Sequence, residues 1–309
     1  MPNFGAGAKN YSPQLKLTQQ DKNPKLKGPT VTEPLLPFHV ANLVLDNNAA
    51  KDAGEKLGPS YQSKLPFPYG CFDNFLPEEI LDRVLEDLQI MPEPERSFDR
   101  SQERYKSSYI PERLPAYTRS VLYALNSRPF ILFLERLTGI NGLIPDPYFM
   151  GGGIHVVENG GHLDIHADFN HHKPMNLERR LNVLIYLNKD WKEEYGGAFE
   201  IWSKDMSHKV EGFAPIFNRM CCFNTGSDTF HGNPDPVNHP KGTPRRSIAL
   251  YYYTATWDDS RKAHTTQFKP RPNSKDKKDT RVARNEFLAD LLPPILYRRI
   301  AGPLRRLGF

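Results

Sequence analysis

The sequence predicts a mainly β protein, a sandwich or barrel with helices ahead of it. From Gly151 onward, short apolar runs alternate with Gly, Asn and Pro turns: GGIHVV, HLDIHAD, RLNVLIYLN, GGAFEIW, NRMCCFN and RRSIALYYYT. Short β runs at this density belong to sheets that close or pack in two layers. Before them, the segment from Pro77 to Leu88 and residues 117–138 carry helical rather than alternating periodicity. With 309 residues, 38% of them hydrophobic, the chain can build one large domain with extensions or two small ones.

Residues 1 to about 35 are rich in Lys, Gln, Asn and Pro and read as a mobile tail. PFHVANLVL could pack on the domain, whereas DNNAAKDAGEKLGPS reads as linker. Order is expected from PFPYGCFDNFLPEEI, with a strand over Tyr69 to Phe75 and a helix opened by Pro77. Glu78 and Glu79 occupy its first turn, where carboxylates favour the helix dipole, and Ile80, Val84 and Leu88 share one face. MPEPERSFDRSQERYKSS reads as a polar loop. Residues 117–138 read as two helical pieces broken near Ser127–Pro129, with Leu122, Leu125, Ile131, Leu134 and Leu137 facing the core. The expected organisation is an N-terminal extension over 1–62, partly disordered, a folded domain over 63–256, and a basic C-terminal extension over 257–309. In that last segment Phe287, Leu291, Leu292, Ile295, Leu296 and Ile300 fit a helical stripe interrupted by Pro293 and Pro294, followed by Arg298, Arg299, Arg305 and Arg306. Packing against the domain is its simplest use, and weak contact with an anionic membrane surface is the alternative.

Several classes are disfavoured. A net charge of +5 is too mild for the concentrated basic face of a nucleic-acid binder, so no nucleic-acid partner is expected. The three cysteines, Cys71, Cys221 and Cys222, form no disulfide framework and no C-x-x-C pair, which suits a reducing compartment. The N-terminus lacks the apolar stretch of a secretory signal, and no run of about 18 apolar residues exists to span a membrane. The expectation is a soluble, cytoplasmic protein.

Chemistry concentrates in GGHLDIHADFN. On a strand, residues two apart share a face, so His166 and Asp168 point the same way and can grip one ion. A third ligand is available from His231 in TFHGNPDP, 231 − 168 = 63 positions on, which leaves room for two or three strands to return. Two His and one carboxylate on one face of a metal leave its other face open, the arrangement of non-haem Fe(II) oxygenases. H-x-D alone is a common tripeptide, and His155, His162, His171 and His172 lie nearby, so the downstream pattern has to carry the reading. In PRRSIALYYYT, a buried guanidinium needs a carboxylate partner, and the C5 carboxylate of 2-oxoglutarate would serve through a two-pronged contact. Arg246 is expected to fill that role, sharing its face with Ile248, Leu250 and Tyr252, while Arg245 points away; a surface Arg at a strand start is the plainer alternative. In LNVLIYLN, one face carries Asn182, Leu184, Tyr186 and Asn188, too polar for a dry core and suited to a pocket wall. Tyr186 could donate to the distal carboxylate, and Asn182 could assist or touch substrate; a core Tyr with its hydroxyl at a rim is the alternative for Tyr186.

The order H-A-D, IYLNKDW, GGAFEIW, HG and PRRSIALYYY resembles the prolyl 4-hydroxylase-like branch of the Fe(II)/2-oxoglutarate dioxygenases over roughly residues 65–256. The resemblance implies a double-stranded β-helix, or jelly roll, with flanking helices. It implies His166, Asp168 and His231 as both metal ligands and catalytic centre, and Arg246 and Tyr186 as cosubstrate residues. It implies Fe(II), 2-oxoglutarate and O2, with ascorbate as an expected helper. The reaction would hydroxylate an unactivated C–H bond of a peptide or small molecule and release succinate and CO2. Asp168 argues against the related halogenases, which lack that carboxylate. Many relatives carry a Tyr at the position aligned with Val157; His155, two residues back on the same face, could take its place as a cosubstrate contact. The alternative is a non-catalytic metal-binding jelly roll acting as an interaction module, whose mark would be the loss of a triad member or of Arg246.

Overall fold

The computed structural model describes residues 33–258 and 260–279. Most of the expected N-terminal tail, and the whole apolar stripe with its four Arg beyond residue 285, lie outside the described residues. The described helices are α1 (Asn47–Gln62), α2 (Glu78–Asp87), α3 (Ala116–Ala124) and α4 (Arg128–Thr138). The strands are β1 (Tyr69–Phe72), β2 (Arg96–Arg100), β3 (Glu103–Tyr109), β4 (Ile144–Pro145), β5 (Gly153–Ala167), β6 (His171–His172) and β7 (Leu177–Tyr186). They continue with β8 (Phe199–Trp202), β9 (Lys209–Phe213), β10 (Met220–Asn224), β11 (His231–Asn233), β12 (Arg245–Thr254) and β13 (Gln267–Phe268).

The segment expected to be linker, DNNAAKDAGEKLGPS, is helical. Asp46 caps α1, its Oδ1 accepting from the backbone N–H of Asn48 at 2.8 Å and of Ala49 at 2.9 Å. Ala50, Gly54 and Gly58 form a shallow stripe that lets α1 lie against the backbone of α4. A Cβ on Gly54 would stand 2.5 Å from the Phe133 carbonyl oxygen, and one on Gly58 2.8 Å from that of Arg136. Two glycines four apart read as flexibility in sequence, yet here they are what the close helix crossing requires. The break at Ser127–Pro129 falls as expected, and Leu122, Leu125, Leu134 and Leu137 are buried, with Ile131 at the rim. These helices, with Phe75, Phe130 and Phe133 in mutual ring contact, cover one face of the sheet. Burying each such ring contributes about 1.5–3 kcal/mol.

The strands pair in the order β1-β10-β7-β12-β5-β11-β8-β9, and every ladder between them is antiparallel. This nearly closed antiparallel sheet with flanking helices is the expected jelly roll. GGIHVV and HLDIHAD, read as two runs, form one long strand. The first half of β5 pairs with β12 and its second half with β11 and β13, so β5 carries the chain from one side of the barrel to the other. β7 and β12 are buried on both faces. Leu181, Val183 and Ile185, with Ile248, Leu250 and Tyr252, join the helix-side core, while Asn182, Leu184 and Tyr186, with Ser247 and Tyr251, take the other side. The expected polar loop over 91–108 contains the β2–β3 hairpin, whose second strand is held by backbone pairing to β5. Its alternating residues are charged rather than apolar, so no period-2 hydrophobic signal marks it. No described helix is long and apolar enough to cross a membrane.

Candidate metal and cosubstrate site

The end of β5 delivers His166 and Asp168, and His231 opens β11 directly opposite His166 in the ladder. Gly232 makes this approach possible, since a Cβ there would stand 2.8 Å from the Leu163 and Asp164 carbonyl oxygens. One ligand atom from each of the three side chains lies within 4.8 Å of the others. His166 Nε2 is 3.6 Å from one Asp168 oxygen and His231 Nε2 is 3.2 Å from the other. Each imidazole turns its remaining nitrogen to backbone: His166 Nδ1 to the Asp164 carbonyl at 2.8 Å, His231 Nδ1 to that of Thr229 at 3.0 Å. Donation through Nδ1 leaves both Nε2 lone pairs facing the same point, the tautomer a metal requires. Burial lowers the pKa of His231, keeping it in the neutral, ligating form.

Asp168 is braced by two residues from β7. Arg179 Nη2 lies 3.1 Å from Asp168 Oδ2, to which Asn182 Nδ2 donates at 2.7 Å, and Arg179 donates to Asn182 Oδ1 through Nε and Nη2 at 3.0 and 2.8 Å. Burial works against ionisation of Asp168, but the Arg179 guanidinium beside it holds its carboxyl well below the usual carboxylate range. Arg179 is itself sandwiched, with its Cζ 3.7 Å from the Tyr251 ring centroid and 4.3 Å from that of Phe169. Asn182, expected against cosubstrate or substrate, instead holds the ligand carboxylate. Arg179 was not foreseen: RRLN offers two Arg, and only the strand register tells which turns inward.

A cavity of about 230 Å³ opens on the triad. Its inner wall carries His155, Leu184, Phe199, Phe223, Arg245 and Ser247. The expectation for the Arg pair is reversed here. Arg245, not Arg246, lines the cavity; it is 4% exposed, donating through Nε to the Gly197 carbonyl at 2.8 Å and through Nη2 to the Tyr186 hydroxyl at 3.4 Å. Arg246 lies on the opposite face with Ile248, Leu250 and Tyr252, half-buried, near Glu158 and Tyr109. Those apolar neighbours belong to the helix-side core rather than the barrel interior, so the criterion that selected Arg246 selected the wrong side. Tyr186 is fully buried, and burial raises its pKa well above the usual phenol value, so it remains a hydroxyl donor beside Arg245. His155 also faces the cavity, its Nε2 2.8 Å from the Gly151 carbonyl oxygen, and burial, then Lys106, push its pKa well below the usual imidazole value. Val157 lines the same wall, opposite Arg245 in the ladder.

Among the described residues no carboxylate meets Arg245. A guanidinium buried among neutral partners is costly, and a cavity-borne anion would relieve that cost. The three-residue cluster, with its borderline N,N,O donor set and engaged Nδ1 atoms, fits a divalent iron; the orphaned Arg245 fits a dicarboxylate.

Residues 152–282 match the family model of the 2OG-Fe(II) oxygenase superfamily. That span, somewhat under half of the chain, holds the triad, Arg179, Asn182 and Arg245, and is similar to the domain of that superfamily. It extends beyond residue 256, where the expected domain ended, and takes in β13, whose Phe268 pairs with His166 across the ladder, ring centroids 5.5 Å apart. No curated protein sequence matches the chain. Among solved structures, a prolyl hydroxylase from Trichoplax adhaerens, in complex with a hypoxia inducible factor oxygen degradation domain peptide fragment, is similar at 19% identity and TM-score 0.48, covering 65% of this chain and 91% of that one. A prolyl-4-hydroxylase from Pseudomonas putida is similar at 15% identity and TM-score 0.45, covering 65% and 98%. HygX from Streptomyces hygroscopicus, with nickel and 2-oxoglutarate bound, is similar at 8% identity and TM-score 0.43, covering 62% and 84%.

Proposed function

We propose that the protein is an Fe(II)- and 2-oxoglutarate-dependent hydroxylase of the prolyl 4-hydroxylase-like kind, acting on an unactivated C–H bond of a peptide or small molecule and releasing succinate and CO2. The observation that carries this reading is Arg245, a buried guanidinium beside a hydroxyl donor, facing the same cavity as a two-His, one-carboxylate cluster. Iron held by His166, Asp168 and His231 would supply oxygen activation, and the protein orients the partners and excludes water. Arg245 and Tyr186 would receive the C5 carboxylate of 2-oxoglutarate. Leu184, Phe199 and Phe223 wall that end of the cavity and keep the charged contact strong by keeping it dry. Arg179 and Asn182 hold Asp168 ionised and fixed in orientation. Ascorbate is expected to sustain turnover by keeping the iron reduced.

The test is to supply Fe(II), 2-oxoglutarate, ascorbate and O2, and to screen peptide and metabolite libraries by mass spectrometry. Succinate formation that needs iron, with one oxygen gained by one library member, is the expected result. Succinate no higher than in a metal-free control would overturn the reading.

A further inference from the structure

Besides Arg245, the cavity lining carries hydrogen-bond donors from the strands that flank β5. The β2–β3 hairpin sets Arg96, Arg100 and Lys106 on its wall. Glu103, 6% exposed, fixes two of them: its carboxylate lies 3.0 Å from Lys106 Nζ and 3.0 Å from Arg100 Nη2. One buried carboxylate thus holds two cations in place and leaves their summed charge positive. Arg96 has no carboxylate partner among the described residues. On the other side of β5 stands Asn233, two residues after His231 on β11; it and Glu103 both pair with Leu163. It is 5% exposed, and its Nδ2 has no hydrogen-bond partner among the described residues. A buried amide donor left unpaired is costly, so such a donor facing a cavity calls for a ligand acceptor.

The charges at the metal do not neutralise this wall. Asp168 faces Arg179, and a bound dicarboxylate would be matched by the metal and Arg245. No uncommitted carboxylate remains among the residues lining the cavity, because Glu103 and Asp168 are both paired with cations.

We infer that this enzyme's substrate carries an anionic group, a carboxylate or a phosphate monoester, seated between Lys106 and Asn233. The inference rests on the hydroxylase reading, with the reacting carbon between that anion and the metal. Cationic substrates are disfavoured by the net positive charge of this lining, and a neutral substrate would leave that charge unmatched.

The test uses the full chain loaded with Ni(II), which cannot turn over, and saturating 2-oxoglutarate. Inorganic phosphate and acetate are titrated separately at constant ionic strength while the thermal midpoint is followed. Saturable stabilisation by at least one of the two is expected, and which one acts distinguishes phosphate from carboxylate. The apparent dissociation constant should rise at least roughly tenfold in Lys106→Met, as loss of a charged hydrogen bond of about 1.5–3 kcal/mol implies. It should rise also in Asn233→Ala, and be largely restored in Lys106→Arg. Arg96→Gln, at an exposed position where folding is not at stake, should weaken binding in the same direction. Stabilisation by neither anion, or equal stabilisation in wild type, Lys106→Met and Arg96→Gln, overturns the inference. Absence of any shift from 2-oxoglutarate itself would instead overturn the hydroxylase reading beneath it.

Discussion

At the scale of single residues, the His166–Asp168–His231 cluster was legible and its supports were not. His166 and Asp168 share a strand face by simple period-two spacing, and His231 follows a strand long enough after them to return. Nothing comparable marks Arg179, one of two adjacent Arg, or separates Arg245 from Arg246. Both faces of β12 are buried, one in the helix-side core and one in the cavity, so alternation alone carries no sign. The polar residues of that strand, Ser247 and Tyr251, were the better guide, because a functional barrel interior is its more polar side. Arg179→Met is expected to weaken Fe(II) or Ni(II) binding on the order of 10–100-fold, the usual loss when a ligand's support is removed, and Asn182→Ala should do so less. Metal titration by calorimetry measures this; an unchanged affinity in Arg179→Met would mean that Asp168 is held without it. The cysteines separate cleanly as well. Cys222 is buried with its thiol pushed up to about 12, Cys221 is buried beside Tyr186, and Cys71 is half-buried with its pKa lowered by a hydrogen bond from Cys221. Iodoacetamide at pH 8 should therefore label Cys71 first in the native protein, with Cys221 and Cys222 modified only after unfolding. Peptide mapping checks the order.

At the scale of elements, the apolar ones were readable and those whose pattern is polar or small were not. α2, the α3–α4 break and the strands β7, β8, β10 and β12 announce themselves by their hydrophobic pattern. α1 does not: its contact with α4 is made by Ala50, Gly54 and Gly58, and its exposed face is polar. The β2–β3 hairpin escapes for a related reason, since its side chains serve the cavity mouth through charge. Close packing at Gly54 gives a direct test. Gly54→Leu is expected to lower stability by roughly 1–3 kcal/mol, because the new side chain has only the α4 backbone to meet. Lys51→Ala, at an exposed position of the same helix, should change it by no more than about 0.5 kcal/mol. Chemical denaturation midpoints of the two variants decide the matter, and equal effects would mean that α1 does not pack as described.

At the scale of the whole molecule, one barrel joins the three-residue cluster at the ends of β5 and β11 to Arg245 at the start of β12, with Asp168 braced from β7. Residues beyond 256 complete it, because β13 pairs with Ala167 and His166. A chain ending at residue 258 should consequently bind metal more weakly than one ending at residue 279, measured on purified, folded proteins; equal affinities would leave β13 as mere cover. The central claim is that Arg245 anchors 2-oxoglutarate over the His166–Asp168–His231 centre. Calorimetric titration of 2-oxoglutarate into Ni(II)-loaded wild type, Arg245→Ala and Arg246→Ala tests it most directly. Loss of a charged contact costs on the order of 2–5 kcal/mol, so Arg245→Ala should weaken binding at least about 30-fold, while Arg246→Ala binds nearly as wild type. Wild-type affinity in Arg245→Ala, or a larger loss in Arg246→Ala, would contradict it.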